Sequence, residues 1–140
     1  MLVLDTDHFS LIERPNNTES LRLRHRLEQA VGEQAVTTII SYEEQSRGWL
    51  AYVARAKSKS EQLDAYGRLA RHLDAYRKMV VLDFDEPAFE KYVELKRDVS
   101  IGTLDLKIAA ITLAHDAVLL SRNRKDFEQV PGLKVENWLE

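Results

Sequence analysis

The chain has 140 residues, of which 44% are hydrophobic and 31% are charged, as is typical of one globular domain. It has no cysteine, which excludes disulfides and thiolate zinc sites, and its net charge of −3 argues against a protein that coats nucleic acid. Because no apolar run approaches the roughly 20 residues that cross a bilayer, and residues 1–5 lack the pattern of a signal peptide, we expect one cytoplasmic domain over residues 1–140 with no membrane partner.

Short apolar segments rich in β-branched residues alternate along the chain with longer helical patterns. Strands are predicted at residues 2–4, 35–40, 80–84 and 117–120, with a weaker fifth at 133–135. Helices are predicted at residues 18–31, 42–56, 60–78, 86–99 and 103–115, the last capped by Thr103. This alternation predicts an α/β fold with a central, mostly parallel sheet of four or five strands flanked by helices.

Several acids are placed where such a sheet would bind a ligand, at the carboxyl ends of its strands. Asp5 directly follows the first strand, although Asp5 or Asp7 could instead cap the next helix. Glu44 follows the second strand in ISYEEQSRGW, but Ser41 and Glu44 also match a capping box with Ser41 as N-cap. For Glu44, capping alone is the better interpretation of the local sequence.

Two further places hold polar residues at predicted element ends. Asp105 lies in the first turn of a very apolar helix, where the helix dipole favours an acid whatever its function. Asn123 and Asp126 follow the fourth strand, which ends at Ser121, and both residue types are also common in turns.

The joint arrangement of these acids predicts more than each acid predicts alone. Carboxylates that converge on one crevice repel one another and acquire raised pKa values unless a cation neutralises them. Oxygen ligands without cysteine favour Mg²⁺ or Mn²⁺, and such a centre activates water against a phosphoryl group. The sequence therefore predicts metal-assisted phosphodiester hydrolysis.

The remaining motif types give no support for other chemistry. Phosphate-binding glycine loops and a serine-hydrolase elbow are absent from the sequence. The histidines form none of the spaced pairs of zinc enzymes, and each is expected at the surface or at a helix end. They are His8, His25, His72 and His115.

Three segments together resemble PIN-domain ribonucleases of the VapC toxin type. They are MLVLDTDHF, ISYEEQSRGW and GTLDLKIAAITLAHDAVLLSRNRKDFEQVPGLKVENW, the last being the most specific. The resemblance spans essentially the whole chain. It implies a PIN-like fold with a protruding helical pair at about residues 42–78, and a Mg²⁺- or Mn²⁺-dependent endoribonuclease paired with an antitoxin and often dimeric.

The resemblance also implies roles for the acids. Asp5 and Asp105 are expected to be direct metal ligands, and Glu44 is expected to orient or deprotonate the attacking water or to complete the metal shell. Asp7 departs from the asparagine more usual at its position, and its added charge would weaken substrate binding or attract another cation.

The fourth acid of the wider family falls at Asn123 of this chain. Either Asn123 holds a water of the metal or Asp126 takes over the position of that acid. Thr6 and Ser121 are expected to hydrogen-bond the acids or the scissile phosphate.

The helical pair at residues 42–78 would form a groove for the helical tail of the antitoxin. Aromatic residues suit such a groove, but the same helical spacing also indicates ordinary core packing. The expected groove residues are Trp49, Tyr52, Tyr66 and Tyr76. Arg47 and Arg55 are expected at RNA phosphates; for Arg22, Arg24 and Arg26 a solvated helix face is at least as consistent.

Two other functions are compatible with parts of the sequence. The "DTD" after the first strand resembles the start of phosphatases with an aspartate nucleophile, although Phe9 departs from their pattern. A binding protein that has lost its nuclease activity is the other alternative, and Asn123 is the argument for it.

Overall fold

The computed structural model describes residues 1–13 and 17–140, and within them five parallel strands form one sheet in the order β3-β2-β1-β4-β5. The strands are β1 Leu2–Leu4, β2 Ala35–Thr38, β3 Val81–Leu82, β4 Val118–Leu120 and β5 Lys134–Glu136. The helices are α1 Thr6–Glu13, α2 Thr18–Gln29, α3 Ile39–Arg55, α4 Lys59–Arg77, α5 Glu86–Asp98, α6 Thr103–Ala114 and α7 Arg124–Phe127. The predicted α/β architecture is confirmed.

The central strand β1 is buried on both faces and places Asp5 in the middle of one sheet edge. Leu2 and Leu4 pack with α1, α2 and α4 on one face, whereas Val3 packs with α5 and α6 on the other. This division follows from the alternation of side chains along a strand. Because β1 is parallel to both neighbours, β2 and β4, the residues after these three strands emerge at the same edge as Asp5.

The boundary between β2 and α3 differs from the predicted one. Ile39 and Ile40 begin the helix instead of ending the strand, because Thr38 is its N-cap and Thr38 Oγ1 accepts a hydrogen bond from the Ser41 backbone N at 3.1 Å. The prediction that Ser41 is the N-cap is therefore wrong. The prediction that Thr103 caps α6 is also wrong, since Gly102 is the N-cap and provides no side-chain bond.

The predicted helical pair is present as α3 and α4. A capping box formed by Ser58 and Glu61 begins α4. Near the sheet the pair is packed, with His72 and Tyr76 buried, whereas Leu50 and Leu63 farther out are 57% and 66% exposed. The pair therefore extends away from the sheet. Among the described helices none is both long enough and apolar enough to cross a bilayer.

Candidate active site

Asp5 is held at the carboxyl edge of the sheet from two sides. Its backbone N donates to the Leu120 carbonyl at 3.1 Å, and its Oδ1 accepts from the His8 backbone N at 2.8 Å. The second bond caps α1, so the capping interpretation of Asp5 is correct. The capping bond uses only one oxygen of the carboxylate, so it does not compete with a role of Asp5 in the site. Asp5 is buried, with 8% of its surface exposed.

Glu44 is connected to the same edge through Thr6. Since α3 begins at Ile39, Glu44 lies beyond the capping position, and its Oε1 accepts a hydrogen bond from Thr6 Oγ1. Thr6 Oγ1 also lies 3.2 Å from Ser41 Oγ. The contact of Thr6 with an acid, which the resemblance implied, is present, and it joins the end of β1 to the start of α3.

Asp105 lies in the first turn of α6 and is half-buried. Burial raises the pKa of its carboxyl, and the negative charges of Glu44, Asp5, Asp126 and Asp7 raise it further. Asp105 is therefore partly removed from solvent and also lies near other acids.

Asn123 and Asp126 act together at the end of β4. Asn123 Nδ2 donates to Asp126 Oδ2 at 3.0 Å, and the Asn123 backbone N donates to Ser121 Oγ at 2.9 Å. Ser121 is fully buried, so its hydroxyl supports the turn and does not reach the solvent side where a phosphate would bind. Because Asn123 Nδ2 donates to Asp126, Asn123 Oδ1 is the atom of its amide that remains to accept a hydrogen bond or bind a cation in the site.

These residues line one small cleft of about 220 Å³, which we call the acidic cleft. Asp126 stands behind Asn123 and is not part of the lining, and the described lining contains no lysine or arginine. The lining residues are Asp5, Thr6, Asp7, Glu44, Asp105, Ile108, Asn123 and Phe127. The tertiary structure therefore brings together acids that are up to 100 residues apart in the sequence.

The donor set of the acidic cleft fits a hard divalent cation. All its polar side chains offer oxygen, and the raised pKa of Asp105 reports negative charge that nothing in the described lining neutralises. Within residues 1–13 and 17–140 no group of three His, Cys, Asp or Glu side chains is arranged to hold an ion. Mg²⁺ is usually bound by only one or two carboxylates and completes its shell with water and phosphate oxygens, so two carboxylates of the cleft would be enough to hold it.

A second and larger cleft, of about 630 Å³, lies between α1, α2, α3 and α4, and we call it the interhelical cleft. Its floor is apolar and its rim carries charges of both signs. The lining residues are Phe9, Ile12, Glu13, Arg24, Trp49, Arg68, Arg71, Asp74, Ala75, Lys78 and Met79. Most of these residues were not singled out in the sequence, because they come from four helices whose packing the helical period alone does not specify.

The four aromatic residues predicted for a groove lie in different places. Trp49 lines the interhelical cleft, and Tyr52 lies beside it at a ring-centroid distance of 5.8 Å. Tyr66 is 58% exposed and lines neither cleft, whereas Tyr76 is buried against Phe9 with ring centroids 4.4 Å apart. For Tyr76 the core interpretation of the aromatic pattern is the correct one.

The predicted phosphate-binding arginines lie outside the described lining of the acidic cleft. Arg47 donates to Glu43 on the exposed face of α3, and Arg55 is exposed beside Tyr52 and Trp49. In the basic run of α2, Arg22 and Arg26 donate to backbone carbonyls of the C-terminal segment. These two arginines have structural partners and do not form a free solvated face.

The histidines were expected at the surface or at a helix end, which is correct for His8 only as a helix end, in the first turn of α1, and wrong for His72, which is buried within α4. His8 is fully buried and His72 is 2% exposed. His8 belongs to the site, because its ring Nδ1 lies 3.3 Å from Asp5 Oδ1. The available sequence signal was the spacing of three residues from Asp5, which places His8 one helical turn away on the same side of α1.

Comparisons with known proteins agree with this fold. The family model of the PIN domain matches residues 2–133. Ribonuclease VapC2 of Rickettsia felis is 33% identical over 66 residues, which cover 44% of this chain and 49% of that protein. Ribonuclease VapC2 of Haemophilus influenzae is 27% identical over 124 residues, which cover 85% of this chain and 86% of that protein.

The fold is also found among solved structures. The crystal structure of VapBC2 from Rickettsia felis, bound to a DNA fragment from its promoter, superposes with a TM-score of 0.72 at 22% identity and 98% coverage of both chains. Because that identity is low, the superposition is evidence for the fold alone. The family model, which matches nearly the whole length of the chain, is evidence for membership of the family. The chain belongs to the PIN domain family.

Proposed function

We propose that this chain is the toxin of a toxin–antitoxin pair and acts as a metal-dependent endoribonuclease. The observation that carries the proposal is the convergence of Asp5, Glu44 and Asp105 on one cleft without a basic residue in its described lining. Relatives with the same domain are named ribonucleases, which supports RNA as the substrate. Because the chain belongs to the PIN family, we do not retain the alternative of an aspartate-nucleophile phosphatase.

The acids of the cleft would have different roles in the reaction. Asp5 and Asp105 would hold Mg²⁺ or Mn²⁺, and the bound cation would supply positive charge for the phosphodiester and lower the pKa of a water. Glu44 Oε1 is bonded to Thr6, which leaves Oε2 to take the proton of the attacking water. Attack on phosphorus then breaks the bond to the 3′ oxygen, which takes up a proton from solvent, and the products are a 3′-hydroxyl and a 5′-phosphate.

Asn123 would orient a water or a phosphate oxygen through its Oδ1. Asp126 fixes the amide of Asn123 by accepting its Nδ2 hydrogen, so the fourth position of the site is a neutral carbonyl backed by an acid. This pairing supports a division of roles in which Asn123 faces the cleft and Asp126 contributes its charge from behind.

The antitoxin would occupy the interhelical cleft. Similar folds were solved as VapBC complexes, in which toxin and antitoxin are together. An apolar floor with a rim of mixed charge suits an amphipathic helix of a partner. In this proposal Trp49 is the anchor, and Tyr52 with Arg68 flanks it, since the Arg68 guanidinium carbon lies 6.0 Å from the Trp49 ring centroid.

The test is cleavage of total bacterial RNA by the purified, antitoxin-free chain in Mg²⁺, Mn²⁺ or EDTA, beside Asp5→Asn. Asparagine caps helices as well as aspartate, so this variant removes the charge and keeps the cap. Asp85→Asn is the matched control, because Asp85 caps α5 through a bond from the Ala88 backbone N at 3.2 Å, outside the cleft.

Discrete metal-dependent fragments that disappear with Asp5→Asn and persist with Asp85→Asn are the expected result. A folded chain that binds the metal and cleaves no RNA would overturn the nuclease assignment and leave the binding protein as the alternative. Equal cleavage by Asp5→Asn and the wild type would overturn the site assignment.

A further inference from the structure

The ring of His8 connects the Asp5 carboxylate to the C-terminal segment of the chain. His8 Nδ1 lies 3.3 Å from Asp5 Oδ1, and the Trp138 backbone N donates to His8 Nε2 at 3.3 Å. The ring is fully buried, so both nitrogens have the partners that burial of a polar group requires.

The partner of Nε2 determines which nitrogen carries the ring hydrogen. A backbone N–H can only donate, so Nε2 accepts from Trp138 and carries no hydrogen. The hydrogen of this tautomer is therefore on Nδ1, from which it is donated to Asp5 Oδ1. Asp5 Oδ1 thus receives two hydrogens from the same residue, one from the His8 backbone and one from the His8 ring.

The segment that fixes His8 is itself held by α2. The Arg26 guanidinium carbon lies 4.6 Å from the Trp138 ring centroid, and Arg26 Nη1 donates to the Asn137 carbonyl at 3.4 Å. Arg22 donates to the Leu139 carbonyl at 3.4 Å, and both Trp138 and Leu139 are buried. The Trp138 N–H is consequently a fixed donor, and it fixes the orientation of the His8 ring.

We propose that His8 is a positioning residue that fixes Asp5 Oδ1 and so presents Oδ2 to a divalent cation in the acidic cleft. The inference rests on the proposed metal-dependent function of that cleft. The capping bond from the His8 backbone N already holds Oδ1, and the buried ring donor adds a second bond to the same oxygen, which further limits rotation of the carboxylate about its last torsion. Hydrogen-bond partners behind metal ligands contribute about 10- to 100-fold to metal affinity or activity.

Two isosteric substitutions separate the two bonds of the ring. The amide nitrogen of His8→Asn falls near Nδ1, so that variant can still donate to Asp5 but no longer reaches the Trp138 backbone. The amide of His8→Gln falls near Nε2, so that variant can still accept from Trp138 but lacks the donor to Asp5. His8→Leu removes both bonds and keeps a comparable volume.

The readouts are Mn²⁺ affinity by calorimetry, kcat and KM for RNA cleavage, and thermal unfolding. We expect His8→Gln and His8→Leu to bind Mn²⁺ about 10- to 100-fold more weakly, with a matching fall in kcat and an unchanged KM. We expect His8→Asn to remain nearest the wild type. If affinity falls equally in the Asn and Gln variants, or follows only the loss of thermal stability, His8 serves packing alone and the proposal is overturned.

The tautomer is tested without any assay of activity. Long-range proton–nitrogen NMR of the wild-type chain reports which ring nitrogen of His8 carries the hydrogen, and Nδ1 is expected. A hydrogen on Nε2 would overturn the proposal. Because calorimetry and NMR need no RNA, failure of the His8 inference is distinguishable from failure of the nuclease assignment.

Discussion

Two clefts in the described part of the chain share α1 and differ in size, charge and construction. The acidic cleft, about 220 Å³, lies at the strand ends and contains Asp5, Asp7, Glu44 and Asp105. The interhelical cleft, about 630 Å³, has an apolar floor and a rim of both charge signs. Residues at the start of α1 line the first cleft, and Phe9 and Ile12 farther along α1 line the second.

The comparison shows that the larger cleft is not the one suited to catalysis. Like charges that face one another in a small cleft cost folding free energy and are useful only when a cation or a substrate neutralises them. An apolar floor with a charged rim, by contrast, is the composition of a surface that binds another protein. Three variants test whether the two clefts have separate functions, and a fourth, at a residue that lines neither cleft, tests stability alone.

Asp105→Asn should have the largest effect. We expect RNA cleavage to fall by at least about 100-fold, the loss that even an outer partner of a metal site can produce. The melting temperature should rise at the same time, by an amount equivalent to at most about 1 kcal/mol because Asp105 is only half-buried.

The sign of that stability change follows from the raised pKa of Asp105. Between the unfolded and folded pKa values the folded state binds more protons, so stability falls as pH rises through this window. Above the folded-state pKa the whole cost is present, and asparagine removes it. Differential scanning calorimetry with and without Mg²⁺ measures the change, and a lower melting temperature would contradict the assignment of Asp105 to a repulsive cluster.

Glu44→Gln should lower kcat by roughly 10²-fold or more if Glu44 takes the proton of water. Glutamine still accepts from Thr6 Oγ1, so the change in stability should stay within about 0.5 kcal/mol. Glu43→Gln is the matched control, since Glu43 bonds to Arg47 on the outer face of α3. If both variants cleave RNA at the same rate, Glu44 has no part in the reaction.

Trp49→Ala should weaken antitoxin binding and leave RNA cleavage unchanged, which is the opposite of the pattern expected for the two acids. Truncation of a central interface anchor typically costs about 2 kcal/mol or more, which is roughly a 30-fold weaker Kd for the cognate antitoxin. Cleavage by the free toxin should be unchanged, because Trp49 lines the interhelical cleft and is not among the described residues that line the acidic cleft. Tyr66→Ala, at an exposed position outside both clefts, is the control. Equal weakening by both variants in surface plasmon resonance would place the antitoxin elsewhere.

His72 should give the smallest effect, on stability alone. Burial lowers the pKa of His72, whose Nε2 is paired with Ser46 Oγ at 2.8 Å near the base of the α3–α4 pair. As pH falls below about 6.5, His72 therefore binds a proton in the unfolded state before it does so in the folded state. The free energy of unfolding then decreases by at most about 1.4 kcal/mol per pH unit from this group.

Urea unfolding at several pH values measures this dependence, with His72→Gln as the comparison. The difference in unfolding free energy between wild type and variant should shift against the wild type as pH falls from about 6.5. A difference that does not change with pH would show that His72 does not titrate differently in the two states.

The sequence predicted five strands and five of the helices in their order, and it singled out the main acids of the proposed site, because both follow from local chemistry; the ranges of the short helices α1 and α7 were not predicted. Alternating apolar segments identified the strands, and parallel topology then required Asp5, Glu44 and Asp105 to approach one edge. The capping interpretation of Glu44 failed because helix α3 begins two residues before Ser41, at Ile39. Periodicity identifies a helix but does not specify its first residue, which depends on whether Thr38 or Ser41 captures the free N–H groups.

By itself, therefore, the sequence determined the α/β architecture and the acids at the strand ends, and it is on these acids that the proposal of a hard cation rests. Only the tertiary structure decided the partners of those acids: Asp126 behind Asn123, Thr6 on Glu44, and His8 on Asp5. It also decided that Tyr76 belongs to the core and that the interhelical cleft exists. The physical reason is that strand period and hydrophobicity act between near neighbours, whereas the Trp138–His8 bond joins residues 130 positions apart and forms only when the whole sheet has assembled.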